Sequence, residues 1–335
     1  MDELMKSRKT QGMRVLLLTM GLVQALSAIA GVSAQSMTSL QASSPAPSPA
    51  TSPATSPAPS PLSSPAPQQA GRGTLFIVGG GAQPAALVSD FVARAGGPGK
   101  AHIVVFAQAS ANGERSGQAK AEDFRKLGAT SVSLWITREQ ADMDSVARLL
   151  DRATGVWFGG GDQNRLTAVL RGTKVERAIR ARFAAGAVVG GTSAGAAVLS
   201  TPMITGDELG ARRDSTEAWT RVARGSVATD TGFGYITDAI IDQHFLRRKR
   251  HNRLLSLVLG EGPQLGAGID EGTALIVEPS GLWRVAGASS VLVVDARNAQ
   301  RTGTTSPVLG AAGARLHVLP AGATFDPKTG EARVP

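Results

Sequence analysis

The sequence predicts an α/β domain, a parallel sheet covered by helices on both faces, with a β-rich C-terminal part. Three observations point there. Short continuous apolar runs that end in glycine or turn residues recur at 75–78, 102–106, 132–135, 156–158 and 187–189. Strands buried on both sides of a sheet read this way, because neither side of the pleat meets water. Between them lie stretches of helical spacing at 85–95, 119–127, 144–153 and 175–185. After Leu265 that alternation gives way to four strand-like runs, at 274–277, 282–285, 291–294 and 316–319.

The first 72 residues stand outside this pattern. Lys6, Arg8, Lys9 and Arg14 precede an apolar stretch over 15–34 that ends in Val32-Ser33-Ala34. Basic residues, an apolar run and a small-residue site spell a cleaved export signal over 1–34. A retained membrane anchor through 15–34 is the alternative, since about 20 apolar residues span a bilayer. Ala, Ser and Gly dilute the second half of the stretch, which favours cleavage. Residues 35–72 are Ser, Pro, Ala and Thr almost throughout and hold nine of the 18 prolines. Such a segment cannot bury a core and reads as a disordered, extended spacer. The folded domain is therefore 73–335, and the chain as a whole is expected to be exported.

Composition narrows the chemistry. The chain has no cysteine, which excludes a thiol nucleophile, a disulfide framework and Cys-ligated metal. Its four histidines, His102, His244, His251 and His317, show no metal-ligand spacing, so no metal or cofactor is expected. Aromatics at 4% are too few to stack single-stranded nucleic acid. The net charge of +9 falls to +6 beyond residue 72, where 30 basic residues face 24 acidic ones. Five of those basic residues lie in one heptapeptide, Arg247-Arg248-Lys249-Arg250-His251-Asn252-Arg253. This is a single basic patch for a local ligand and not a nucleic-acid-binding field.

The chemistry-bearing motif is Gly191-Thr192-Ser193-Ala194-Gly195. It follows an apolar strand and precedes small helix formers over 194–199, the context of a strand–elbow–helix that lifts a serine hydroxyl above the sheet edge. The amide of Ala194 would face a developing oxyanion. Two glycine runs after strands, 79–81 and 159–163, lack the spacing of a dinucleotide or Walker loop. They fit backbone amides lining an acyl-transfer site, with Gly161 the second oxyanion candidate. His102 opens a strand that reads as central and His317 a late one, whereas His244 follows the polar end of strand-like 239–243 and is the candidate base. Glu271, at the end of another apolar run, is the candidate orienting acid, with Asp242 and Asp270 as rivals. A helix starting near Arg250 would put Arg250 and Arg253 on one face while Leu254, Leu257 and Val258 pack inward. Guanidinium groups beside a hydrolytic site suit substrate carboxylates.

In this order, Phe158-Gly159-Gly160-Gly161-Asp162-Gln163, Gly191 to Gly195, Asp242-Gln243-His244-Phe245 with its arginine train, and Gly268-Ile269-Asp270-Glu271-Gly272-Thr273-Ala274 resemble the serine peptidase family that holds cyanophycinases and peptidase E. The resemblance covers about residues 73–335. It implies a class I glutamine amidotransferase-like, flavodoxin-like fold with serine in place of cysteine. It implies Ser193 as nucleophile, His244 as base and Glu271 as its partner. It also implies that Gln163, Asp242, Gln243, Arg248, Arg250 and Arg253 line the substrate pocket. The implied reaction is hydrolysis of cyanophycin, a poly-aspartate with arginine on its side chains, to β-Asp-Arg dipeptides by a homodimer. Two features depart from the pattern: the Pro/Ser-rich spacer, and Asp207 in Thr205-Gly206-Asp207-Glu208, where a second glycine is expected. A peptidase for short aspartyl or isoaspartyl peptides, and a non-catalytic surface-tethered binding protein, are the competing readings. The arginine train argues against the first and the intact Ser193, His244 and Glu271 against the second.

Overall fold

The structure, a computed structural model, describes residues 73–209, 221–260 and 262–335, all within one compact unit, Ser63–Pro335. The export signal and spacer expected over 1–72 lie outside the described residues. From its start the chain runs β1 (Thr74–Val78), α1 (Ala85–Arg94), β2 (His102–Phe106), α2 (Gly113–Lys126) and β3 (Thr130–Leu134). Then come α3 (Arg138–Ala141), α4 (Asp144–Ala147), β4 (Gly155–Phe158), α5 (Gln163–Leu170), α6 (Lys174–Ala184), β5 (Val188–Thr192) and α7 (Ala194–Ala197). The second half is mostly β: β6 (Met203–Glu208), β7 (Val227–Asp230), β8 (Ile240–Gln243), α8 (His251–Leu259), β9 (Leu265–Ile269), β10 (Thr273–Val277), β11 (Trp283–Gly287) and β12 (Ser290–Asp295). It closes with β13 (Gln300–Arg301), β14 (Ala311–Ala312), β15 (Arg315–Pro320), β16 (Thr324–Asp326) and β17 (Glu331–Arg333).

Nine strands form the main sheet in the order β17-β16-β11-β10-β1-β5-β4-β2-β3. The five strands from β1 to β3 in that order are parallel, while β10, β11, β16 and β17 are antiparallel. Alternation along the parallel strands explains their unbroken apolar runs. Phe76, Val78, Ile103, Val105 and Trp157 pack with Phe91 of α1 and Phe124 of α2 on one face. Leu75, Ile77, Val104, Phe106, Val156 and Phe158 pack on the other with Leu166, Leu170 and Ile179 of α5 and α6. Both faces are covered, as the pattern required.

Four expectations need correction. The sheet is mixed, and a second sheet, β15-β12-β9-β8, lies on the face with α5 and α6. Ile241, Leu265, Ala267 and Ile269 of that sheet join the core on this face, and Leu254 and Val258 of α8 cover its far side with Ile240. Apolar runs alone do not say which sheet a strand joins. The β2 strand that His102 opens is not central: only β3 lies outside it. The helix expected over 144–153 is four residues of α4 tightened into a 3₁₀ turn, Arg148–Leu150, and the helix expected over 194–199 stops at Ala197. After Ala197 the carbonyls of Val198 and Leu199 accept instead from the amides of Phe233, Tyr235 and Ile236.

Candidate active site

The site is assembled from the C-terminal ends of strands, where open α/β sheets bind ligands. The ends of β1, β4 and β5 deliver residues 79–81, residues 159–161 and Ser193; β8 delivers His244, and the β9–β10 turn delivers Glu271. Backbone bonds lock these segments to each other. Ser193 N donates to Val78 O at 3.0 Å, His244 N to Gly79 O at 2.6 Å, and Gly272 N to Gly80 O at 2.9 Å. Residues 51 positions apart are thereby fixed within hydrogen-bond reach.

His244 Nε2 lies 2.9 Å from Ser193 Oγ, and His244 Nδ1 lies 2.6 Å from Glu271 Oε1. A carboxylate on Nδ1 holds that nitrogen as the N–H donor, which leaves Nε2 to accept the serine proton. Ser193 and His244 both sit at positive φ, 54° and 51°, a region that costs non-glycine residues energy and is concentrated at functional sites. Burial pushes the His244 imidazole below its ordinary pKa; the hydrogen bond it donates to Glu271 opposes this, and Arg248 and Arg250 add to the lowering. The imidazole is therefore neutral at neutral pH, the form that accepts a proton. The rival acids have other partners. Asp242 is buried against Arg253, and Asp270 accepts from Arg247 N and the Ser289 hydroxyl.

Glycine is required at two places. In the elbow, a Cβ on Gly191 would lie 2.4 Å from Gly195 O, and one on Gly195 would lie 2.1 Å from Phe158 O, so both let the elbow pack on β4. After β1, a Cβ on Gly80 would overlap the His244 ring at 2.2 Å, and one on Gly81 would meet Glu271 at 2.8 Å. Both sit at positive φ. Gly80 and Gly81 thus make the room in which the His244 ring and the Glu271 carboxylate stand, a role the sequence signals only as a glycine run after a strand. In the second run it is Gly160 that faces Ser193, its Cβ direction ending 3.4 Å from the serine Cβ, while Gly161 packs against Ala109 O. The amide of Ala194 opens α7, but four residues make too short a helix for an appreciable dipole.

The expected pocket residues divide. Arg248 is exposed beside the site. Arg250, largely buried, donates to Gln243 O at 2.7 Å and to Gln243 Oε1 at 2.8 Å. Burial, and next Arg253, push its guanidinium down to about 9, where it is still charged at neutral pH. Arg253 differs from expectation. Its side chain is 1% exposed and grips Asp242, 0% exposed, with both Nε and a terminal nitrogen. Arg250 and Arg253 therefore do not both reach solvent: the pair Asp242–Arg253 is interior and braces the β8–α8 turn that carries His244. Gln163 is buried too, donating from Nε2 to Ile204 O at 2.8 Å, and ties α5 to β6. Leu254 and Val258 are buried as expected, while Leu257 is half-buried.

The model of peptidase family S51 matches residues 75–284, a span holding Ser193, His244 and Glu271. The chain belongs to peptidase family S51. It is a serine-type peptidase. Curated relatives of this chain include cyanophycinases. That of Synechococcus elongatus is 35% identical over 273 residues, covering 78% of this chain and 82% of the relative. That of Trichormus variabilis is 35% identical over 269 residues, 77% of this chain and 86% of the relative. Among solved structures, a peptidase from an acI-B1 Actinobacterium superposes with a TM-score of 0.53 at 24% identity, covering 75% of this chain and 98% of the other. That likeness shows that this family S51 peptidase shares the fold.

Proposed function

We propose that this family S51 peptidase degrades cyanophycin to β-Asp-Arg dipeptides through an acyl-enzyme. The observation that carries the reading is the hydrogen-bonded series Ser193–His244–Glu271 with two guanidinium groups, Arg248 and Arg250, beside it. That the curated relatives are cyanophycinases supports the substrate. In the proposed cycle Ser193 Oγ attacks the carbonyl while His244 Nε2 takes its proton. The amide N–H groups of Ala194 and of the Gly160–Gly161 peptide receive the oxyanion. His244 then protonates the leaving amine, and water, deprotonated by the same imidazole, hydrolyses the ester. Each arginyl group of the polymer carries a carboxylate, which Arg248 and Arg250 suit; Gln243, held by Arg250, offers an amide for the guanidinium end. The frame suits the amidotransferase-like, flavodoxin-like fold that the family resemblance implies. Export by the leader, with the spacer as a surface tether, and a homodimeric state complete the proposal.

The test is to incubate the purified protein with cyanophycin and weigh the products. β-Asp-Arg dipeptides are expected. Intact polymer, together with cleavage of short isoaspartyl peptides, would move the chain to the short-peptide reading.

A further inference from the structure

On the face of the main sheet opposite the second sheet, a cavity of about 240 Å³ opens beside Ser193. Its wall includes Thr192, the residue before Ser193, and Gly160, which faces that serine. Its far wall is built around Lys120 of α2. The Lys120 side chain is mostly buried, and its ammonium stands 5.2 Å from the Phe124 ring centroid and 5.3 Å from that of Trp157. It donates to Gln83 Oε1 at 2.7 Å and lies 3.6 Å from Asp123 Oδ2. Gln83 comes two residues after the glycines that seat His244 and Glu271, so the loop shaping the base and acid also aims Lys120. Asp123 is half exposed, at 54%. Arg250, in contrast, arrives from the β8–α8 turn, on the side of the second sheet.

The cavity therefore presents one cation and one anion within a few ångströms, on the opposite side of Ser193 from the arginines. A group carrying both a carboxylate and a guanidinium matches the pair. We propose that this cavity is a second substrate pocket, in which Lys120 holds the carboxylate and Asp123 the guanidinium of an arginyl group across the scissile bond from the one at Arg250. This rests on the cyanophycin reading above. Lys120 is here a specificity residue and does not touch the reacting atoms.

The experiment compares the wild-type protein with Lys120→Met, Lys120→Arg and Asp123→Asn on cyanophycin, recording KM and kcat separately, and labels Ser193 with a small fluorophosphonate. Methionine keeps the stem on Phe124 and Trp157 and removes the charge. A KM rise of about 10–100-fold is expected, the size of a lost charge-assisted hydrogen bond, with the labelling rate unchanged. Lys120→Arg should recover part of the loss. An unchanged KM, or a labelling rate that falls with kcat, would overturn the pocket while leaving the cyanophycin reading intact. Failure of the wild type to cleave cyanophycin would overturn both. Should Lys120→Met not fold, Asp123→Asn, exposed and free of core contacts, decides: KM several-fold higher supports the pocket, and an unchanged KM overturns it.

Discussion

In the proposed chemistry Ser193, His244 and Glu271 work as one unit, and that makes a quantitative prediction. Ser193→Ala should lower kcat by about 10⁴–10⁶ with the fold intact, and Ser193→Ala/His244→Ala should be hardly worse than either alone. Additive losses in the double variant would place His244 outside the proton path. The charge surroundings of His244 give a second prediction with a definite sign. Desolvation, with Arg248 and Arg250, holds its pKa below 6.5, and the neutral form is the active one. The acid limb of kcat/KM should therefore lie below pH 6.5. Arg248→Ala removes a repelling charge from an exposed position, so the limb should move upward, more clearly at low salt. Glu271→Gln removes the group that raises the pKa, so its limb should move the other way. A pH profile for each variant reads both signs.

At the scale of elements, the β8–α8 turn depends on a buried charge pair. Asp242 leaves β8 inward and Arg253 enters from the first turns of α8, so the ion pair staples the two ends of the segment bearing His244. Breaking such a pair strands a buried charge and costs up to about 3–5 kcal/mol, with Arg250, 3.9 Å from Asp242, offsetting part of the loss. Arg253→Met alone should thus lower thermal stability sharply, whereas Arg253→Met combined with Asp242→Leu should regain much of it. Melting temperatures of the three proteins check this; a single variant as stable as the wild type would mean that the charges are not desolvated as a pair. The glycine run after β1 acts at the same scale. It has little intrinsic structure preference of its own and takes its shape from what it must clear, the His244 ring and the Glu271 carboxylate.

Across the whole molecule, the site lies at the junction of two sheets. Ser193 belongs to the main sheet, His244 to the end of β8 in the second, and Glu271 to the turn that passes the chain from β9 to β10, from one sheet to the other. The side chains described at the site, Ser193, His244 and Glu271, all lie within residues 73–335. A protein trimmed of residues 1–72 is expected to keep the wild-type kcat/KM on a soluble isoaspartyl-arginine peptide. A large loss measured on such a peptide would show that the N-terminal segment takes part in the site.

The local chemistry was readable from the residues themselves. A strand, a Gly-x-Ser-x-Gly elbow and small residues after it specify a raised serine, because only glycine tolerates the contacts with Phe158 that the turn imposes. Apolar runs located β1, β2 and β4, since burial on both faces leaves no other pattern. The sequence also offered His244 and Glu271 by their places at strand ends, yet it could not choose among Glu271, Asp242 and Asp270. That choice depends on which carboxylate faces the imidazole, and residues 27 positions apart meet only through strand pairing between β8 and β9. The same limit applies to the arginines. Spacing of three along a helix put Arg250 and Arg253 on one face, whereas Arg250 precedes α8 and reaches Gln243, and only Arg253 lies within the helix. Whether that face meets water or the carboxylate of Asp242 is set by packing against the second sheet, which no local pattern encodes.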